Sequence, residues 1–258
     1  MKIARYRIDN EIHHGVLEGE SLRRLREDLF AGIQETGVTD ALDRAKLLCP
    51  VVPTRIFGAG LNYVSHIEEM KLKRPTVPLL FMKPPTAAIG PDDPILYPRA
   101  ATDVHFEGEL AAIIGKRVRR VSEANALDAV FGYTCGNDMS ERAVQRVEMG
   151  MGHLLIGKSY DTFCPLGPVI ATGLDPRNLL LETRVNGKVR QSVRTSDLLF
   201  SVAQLVAYLS HAITLLPGDV ILTGTPSGVG PVVPGDRVEI SVEGVGVLSN
   251  PVEREPRG

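Results

Sequence analysis

Glu107-Gly108-Glu109 places two carboxylates two residues apart inside a segment, Phe106 to Gly115, that is otherwise apolar. In a strand, period-two alternation puts both acids on one face. Two buried like charges so placed repel and push each other's pKa upward unless a cation or strong donors stand between them. A cation resolves the conflict, and the intervening glycine leaves the opposite face bare for close approach of backbone or ligand. Asp138 ends a hydrophobic strand just before a helix and offers a third oxygen donor. A carboxylate set with no cysteine nearby is hard, and favours Mg²⁺ or Mn²⁺ over Zn²⁺. His105 shares parity with the glutamates and could join them, although a strand-end histidine is more often hydrogen-bonded or solvated. On spacing alone, Glu107 and Glu109 could equally line the polar outer face of an antiparallel strand.

Other residues suit proton transfer and anion binding. His66 and Glu69, three apart on an expected helix, share a face, so the carboxylate could orient the imidazole and raise its basicity for taking a proton from water or from a carbon beside a carbonyl. An ordinary exposed helix pair has the same spacing. Lys158 could supply fixed positive charge to a substrate carboxylate or to developing negative charge; its alternative is a solvated lysine. Gly157-Lys158-Ser159 resembles the end of a phosphate loop, but the glycine-rich strand-to-helix context is absent and nucleotide binding is set aside. Arg142 and Gln145, on the helix after Asp138, could reach a substrate's polar end, arginine by bidentate pairing with a carboxylate, or could be surface residues. The segment Thr223 to Gly230 is suited to presenting backbone N–H groups and Thr225 to a ligand oxygen, as a plain Gly-Pro loop would be.

The elements that must position these groups are mostly short strands. Strands are expected over Ile56–Gly60, Leu79–Met82, Ile95–Tyr97, Glu107–Ile114, Gly132–Asn137, Leu179–Val185, Val220–Thr223 and Val238–Val242, with a tight turn at Asn186-Gly187. Helices are expected from Ser122 to Val130, from Ser140 to Met149 and from Thr195 or Ser196 to Ile213; the last carries a core stripe of Leu198, Leu199, Val202, Leu205, Val206 and Leu209. Residues 1–50 read as a small unit: a hairpin from Ile3 to Val16, then a helix from Ser21 to about Phe30 whose arginines form a solvated face. Cys49-Pro50-Val51-Val52-Pro53 is a Pro-bounded connection, so the chain divides into 1–50 and 51–258. Without regular strand-helix alternation, a mainly β, mixed-sheet architecture with peripheral helices is expected over a doubly wound sheet.

Composition narrows the function classes. At 258 residues and 43% hydrophobic content the chain can bury a full core, and its net charge of −2 includes no basic block to neutralise a row of phosphates, so nucleic acid is not expected as a partner. No apolar run approaches a bilayer span and the first ten residues lack a signal-peptide core, so no membrane is expected and the chain is read as cytoplasmic. Cys49, Cys135 and Cys164 are read as reduced, buried thiols.

The ordered motifs Gly60-Leu61-Asn62-Tyr63 with His66 and Glu69, Phe81-Met82-Lys83-Pro84, Glu107-Gly108-Glu109-Leu110, Gly132-Tyr133 leading to Asn137-Asp138, Gly157-Lys158-Ser159 and Leu222-Thr223-Gly224-Thr225-Pro226 resemble the fumarylacetoacetate hydrolase family over roughly residues 55 to 250. The first fifty residues look like the amino-terminal appendage of some bacterial members. The resemblance implies a mixed β-roll or sandwich core, α+β overall with a small α+β appendage, and a homodimer or higher assembly. It implies a cation, Mg²⁺ or Mn²⁺, held by Glu107, Glu109 and Asp138. Catalytic roles then fall to His66, Glu69 and Lys158, and substrate contacts to Arg142, Gln145, Thr225 and Lys83. The family includes acylpyruvate hydrolases, oxaloacetate decarboxylases and tautomerases, and the isomerase and decarboxylase of an aromatic catabolic pathway. The expected substrate is therefore a small 2-oxo or 1,3-dioxo acid, reacting through a cation-stabilised enolate by C–C hydrolysis, isomerisation or decarboxylation. A zinc hydrolase and a non-catalytic metal-stabilised scaffold are the alternatives; loss of a dyad member would favour the scaffold, and neither is lost. Two departures bear on substrate: His105-Phe106 stands where many members have Asp-Tyr, and Ala143 where an acid is frequent.

Overall fold

Strand Gly108–Ile114 is buried at all seven positions, and its alternate residues enter different packing layers: Leu110, Ala112 and Ile114 on one side, Ala111 and Ile113 on the other. A strand apolar on both faces needs cover on both. In the computed structural model, which describes residues 1–256, it lies inside a twelve-stranded sheet. The main path of that sheet runs Glu35–Ala41, Ser21–Leu25, Glu11–Glu18, Lys2–Ile8, Cys164–Ala171, Val130–Asn137, Gly108–Ile114, Val220–Leu222, Ile56–Gly60, Leu79–Lys83. Arg257 and Gly258, the end of the expected second unit, lie outside the described residues.

A five-stranded sheet covers one face, in the order Lys188–Arg194, Leu180–Val185, Arg237–Val242, Gly246–Arg254, Ile95–Tyr97. Its Leu181, Val185, Val238, Ile240 and Leu248 share a core with Leu110 and Ala112. Leu25, Leu29 and Val51 pack on the other face with Ile56, Ala111 and Ile113. Most strand pairs are antiparallel, but Val220–Leu222 runs parallel to Ile56–Gly60 and Gly246–Arg254 parallel to Ile95–Tyr97, so the mixed-sheet, mainly β expectation holds. A methyl on Gly108 would stand 1.9 Å from Thr183 Oγ1, so the bare face of this glycine is where the second sheet approaches.

The described helices are α1 (Val64–Glu69), α2 (Glu123–Ala126), α3 (Arg142–Gly150), α4 (Ile156–Ser159) and α5 (Val202–Ala212). Several differ from expectation. The helix expected from Ser21 to Phe30 is instead strand Ser21–Leu25 and a turn, paired with Glu11–Glu18 and Glu35–Ala41. Residues 1–50 thus hold strands and one 3-10 turn (Leu42–Arg44) and no α-helix, and they join the main sheet directly through Lys2↔Ala171 and Ile3↔Ile170. The helix after Ser122 is a single turn that tightens into a 3-10 turn, Leu127–Ala129. Glu141, not Ser140, caps α3, its carboxylate accepting the N–H of Val144 at 2.6 Å. The long helix starts at Val202, where Ser201 and Gln204 form a reciprocal capping box; Thr195–Asp197 is a separate 3-10 turn. Asn186 and Gly187, at φ 51° and 75°, make the hairpin turn that the sequence predicts. All three cysteines are free thiols, two buried and Cys49 half-buried. No helix among the described residues is long and apolar enough to cross a membrane.

Candidate active site

Antiparallel register assembles the acids. Gly108 pairs with Asn137, so Asp138, the next residue, emerges beside Glu107. Glu107, the first residue of the expected strand, instead lies in the gap before the observed one, because its N–H goes to the side-chain oxygen of Asn137 (3.0 Å) instead of a ladder partner. Its carbonyl accepts the Asp138 N–H at 2.9 Å. Carboxylate oxygens of Glu107, Glu109 and Asp138 lie within 4.8 Å of one another, and all three residues are buried.

Cationic side chains stand beside two of the three. Lys158 Nζ donates to Glu107 at 2.5 Å and to Asp138 at 2.6 Å. Lys83 Nζ donates to the other Asp138 oxygen at 2.6 Å and to the Met139 carbonyl at 3.1 Å. Arg142 donates to Glu107 at 2.5 Å and to Gln145 Oε1 at 2.6 Å. Glu109 accepts the N–H of Gly224 at 2.6 Å and takes part in no ion pair among the described residues. Burial therefore pushes its carboxyl well above the usual range, and the charges of Asp138 and Glu107 push it further. Burial acts the same way on Glu107, but Lys158 and Arg142 overcome it and hold that carboxyl well below the usual range. For Lys158 burial works against the ammonium, and Asp138 and Glu107 more than restore it.

This donor set fits a hard divalent cation. Three buried carboxylates converge, one without a counter-charge of its own, and an ammonium already bridges the other two. Glu107, Glu109 and Asp138 are the residues that would hold it.

The acids open on a cavity of about 610 Å³, also lined by His66, His105, Arg142, Gln145, Arg146, His153, Lys158 and Thr225, with Leu61, Met70, Leu72, Leu79, Leu80, Phe81, Met149 and Leu154 as its apolar wall. His66 is buried on α1, with Nδ1 3.2 Å from Glu69 Oε2; the carboxylate can only accept, so in the neutral ring Nδ1 carries the proton and Nε2 does not. Glu69 is exposed and tied to the opposite loop by the N–H of Gly228 at 3.1 Å. Thr225 is fixed on both sides, donating to the Gly108 carbonyl at 3.0 Å and accepting from Gln191 at 2.8 Å.

The structure thus brings together the expected acids, His66, Lys158, Arg142, Gln145 and Thr225. Lys83 stands apart, fully buried behind Asp138 and not among the cavity-lining residues. His105 lines the cavity but is not in the acid cluster; its Nε2 lies 2.8 Å from Asp103, and burial, then Arg142, lower its pKa. Sequence reasoning missed Arg146, which shares a helix face with Arg142 at a spacing of four, and Asn62, whose side chain bonds the Phe200 N–H and the carbonyls of Phe200 and Thr223. Helical spacing from Arg142 could have found the former; the partners of Asn62 lie too far along the chain.

Comparison with known proteins places the fold. Residues 55–253 match the family model "Fumarylacetoacetate (FAA) hydrolase C-terminal", and residues 1–50 match "Rv2993c-like, N-terminal". The crystal structure of 5-carboxymethyl-2-hydroxymuconate delta-isomerase from Mycobacterium smegmatis is 44% identical and superposes with a TM-score of 0.93, covering 99% of this chain and 100% of that one. Fumarylpyruvate hydrolase from Pseudomonas aeruginosa, solved with Mn²⁺ and pyruvate, is 35% identical with a TM-score of 0.76, covering 81% of this chain and 92% of that one. The mitochondrial oxaloacetate tautomerase fahd2 of Xenopus laevis is 42% identical over 217 residues, 80% of this chain and 68% of that protein. The chain belongs to the fumarylacetoacetate hydrolase family.

Proposed function

We propose that the chain is a Mg²⁺- or Mn²⁺-dependent enzyme that moves a proton at the carbon beside the carbonyl of a small 2-oxo or 1,3-dioxo acid. The observation that carries this reading is the convergence on one cavity of three buried carboxylates and the His66 imidazole. When bound, the cation supplies Lewis-acid polarisation of the substrate's oxo group. The chain's own residues do the rest. Nε2 of His66 takes and returns the proton, with Glu69 stabilising the imidazolium through Nδ1. Arg142 and Gln145 orient the substrate carboxylate, and Thr225 fixes the loop opposite. Lys158 holds positive charge where negative charge develops. Lys83 acts behind the site, setting the orientation of Asp138.

Isomerisation or tautomerisation is the first reading, because one oriented imidazole suffices to carry a proton between two positions of the same substrate; decarboxylation uses the same polarised oxo group. C–C hydrolysis, in which His66 activates water, is the second reading, favoured by the similarity to fumarylpyruvate hydrolase. Residues 51–258 are proposed as the catalytic unit and 1–50 as its appendage, since every site side chain lies in the former. A homodimer acting in the cytoplasm on aromatic catabolites completes the proposal. The test is a panel of acylpyruvates, oxaloacetate and unsaturated 2-hydroxy dicarboxylates, followed by proton NMR in D₂O with Mg²⁺ or Mn²⁺ and with chelator. Cation-dependent turnover or C3 deuteration of at least one is expected; neither with any of them would refute the reading.

A further inference from the structure

Apolar burial contributes little to holding the stretch from α3 to α4. Val147, Met149, Met151, Leu155 and Ile156 are each 51% to 66% exposed, and of the apolar residues between Val147 and Ile156 only Leu154 is half-buried. One carboxylate holds it instead. Glu148, buried at the end of α3, accepts three successive backbone N–H groups: Leu155 at 3.1 Å, Ile156 at 2.7 Å and Gly157 at 3.0 Å. Its own carbonyl accepts the His153 N–H at 3.1 Å. Burial works against the Glu148 charge, and the three amides more than offset it, keeping the carboxyl below its ordinary range. On the far side of the turn, a methyl on Gly157 would lie 2.8 Å from the Gln145 backbone, so α4 seats against α3 with no slack. Lys158 is the next residue; its N–H closes the same turn on the Leu155 carbonyl at 3.1 Å, and its side chain runs from there to Glu107 and Asp138.

We propose that Glu148 is the positioning residue for Lys158: by gathering the amides of residues 155–157 it sets α4 at the one place from which the Lys158 ammonium reaches both Glu107 and Asp138. The assignment rests on the proposed function only for its catalytic consequence. Glu148→Gln keeps the shape but replaces one acceptor oxygen with a donor that faces an N–H, so the nest cannot close. The turn loosens, and Lys158, otherwise 3% exposed, gains access to solvent.

Competitive acetylation of lysines in metal-free protein, read by peptide mass spectrometry, tests this. Exposed Lys188 reports the reagent dose, and Lys83, 1% exposed on a separate strand, reports general loosening. In Glu148→Gln, labelling of Lys158 should rise about tenfold or more while Lys83 stays within about twofold of the parent. Glu148→Asp, with its carboxylate withdrawn by one methylene, should fall between, and decides by the same criterion if the Gln variant does not fold. Unchanged Lys158 labelling, or a rise in step with Lys83, would overturn the assignment, as would failure of both variants to fold. In turnover at saturating Mn²⁺, Glu148→Gln should lower kcat about tenfold in the parent and have no further effect in a Lys158→Met background. The labelling outcome stands whether or not the chain turns over a 2-oxo acid, so inactive parent protein would count against the proposed function alone.

Discussion

Glu109→Gln separates the cost of crowding three carboxylates from the benefit of filling the space between them. The acid oxygens lie within 4.8 Å of one another. At an effective dielectric near 20, a like-charge pair at that separation costs about 3.5 kcal/mol. Lys158, Lys83 and Arg142 offset this for Glu107 and Asp138, but no ion pair serves Glu109 among the described residues. The amide keeps the shape and can still accept the Gly224 N–H, now at 2.6 Å, and it cannot take on the charge that burial, Asp138 and Glu107 disfavour at this position. Without a cation the variant should therefore be as stable as the parent or up to about 2 kcal/mol more so, since an unpaired buried charge destabilises. With a cation the balance inverts. At a Mn²⁺ concentration a hundred times Kd the parent gains about 2.7 kcal/mol, a Tm rise of about 5–10 °C for a chain of this size. Loss of one charged ligand should weaken binding by about 100-fold or more, which removes that rise. Thermal melts in chelator and in Mn²⁺, with Kd from calorimetry, make the measurement. A variant that keeps the Mn²⁺-induced rise, or melts more than about 5 °C below the parent in chelator, would refute the reasoning.

His66→Ala should lower kcat by about 100-fold or more with Mn²⁺ affinity near that of the parent, Glu69→Gln should be comparably slow, and the double variant little worse than either; near-parent kcat in His66→Ala would mean another base takes the proton. Burial, with Arg5 and His13 adding to it, lowers the His14 pKa from 6.5 to about 4. Because the folded-state value is depressed, this contribution is full above pH 6.5 and is lost as pH falls towards about 4, costing at most about 2 kcal/mol for a partly exposed ring; urea titrations at pH 7 and pH 4.5 should show a smaller acid loss in His14→Gln. Gly108→Ala, which sets a methyl 1.9 Å from Thr183 Oγ1, should destabilise by about 3 kcal/mol or more, and Thr183→Ala, which removes that oxygen, should restore part of the loss; no restoration would show that the hydroxyl is not the obstacle.

Much of the site was legible because its geometry is local or periodic. Glu107 and Glu109 share a face by strand parity, His66 and Glu69 by helical spacing, and Asn186-Gly187 by the positive φ its turn requires. The error at Ser21–Phe30 has a physical origin. Leu22 and Leu25 are both buried three residues apart, as in a helix, but they enter different packing layers, Leu22 with Tyr6 and Leu25 with Ile3 and Ile56, because strand alternation sends residues three apart to opposite faces and both faces here are covered. Arg24, read as part of a solvated face, instead pairs with Asp40 across the neighbouring strand at 2.9 Å. The start of α5 was obscured by several hydroxyl residues, of which Ser201 alone has Gln204 three positions on to close the box. The bridging role of Lys158 could not be read at all, since its partners lie 51 and 20 residues away.

The sheet order also dictates when the molecule can take shape on the ribosome. Strand Lys2–Ile8 pairs early with Glu11–Glu18 and Lys46–Leu47 but joins the rest of the main sheet only at Cys164–Ala171, and Ile56–Gly60 finds its parallel partner only at Val220–Leu222. At about 5–20 residues per second, Ile56–Gly60 waits about 10–30 s with that edge open before its partner is made. Such distant pairings fold slowly, because loop closure must precede the contacts that reward it. The strand bearing Glu109 shares that wait, since Val220–Leu222 lies against it as well. A chain that stalls before residue 220 would carry its acid cluster on an unpaired sheet edge, the surface that chaperones cover and that otherwise aggregates.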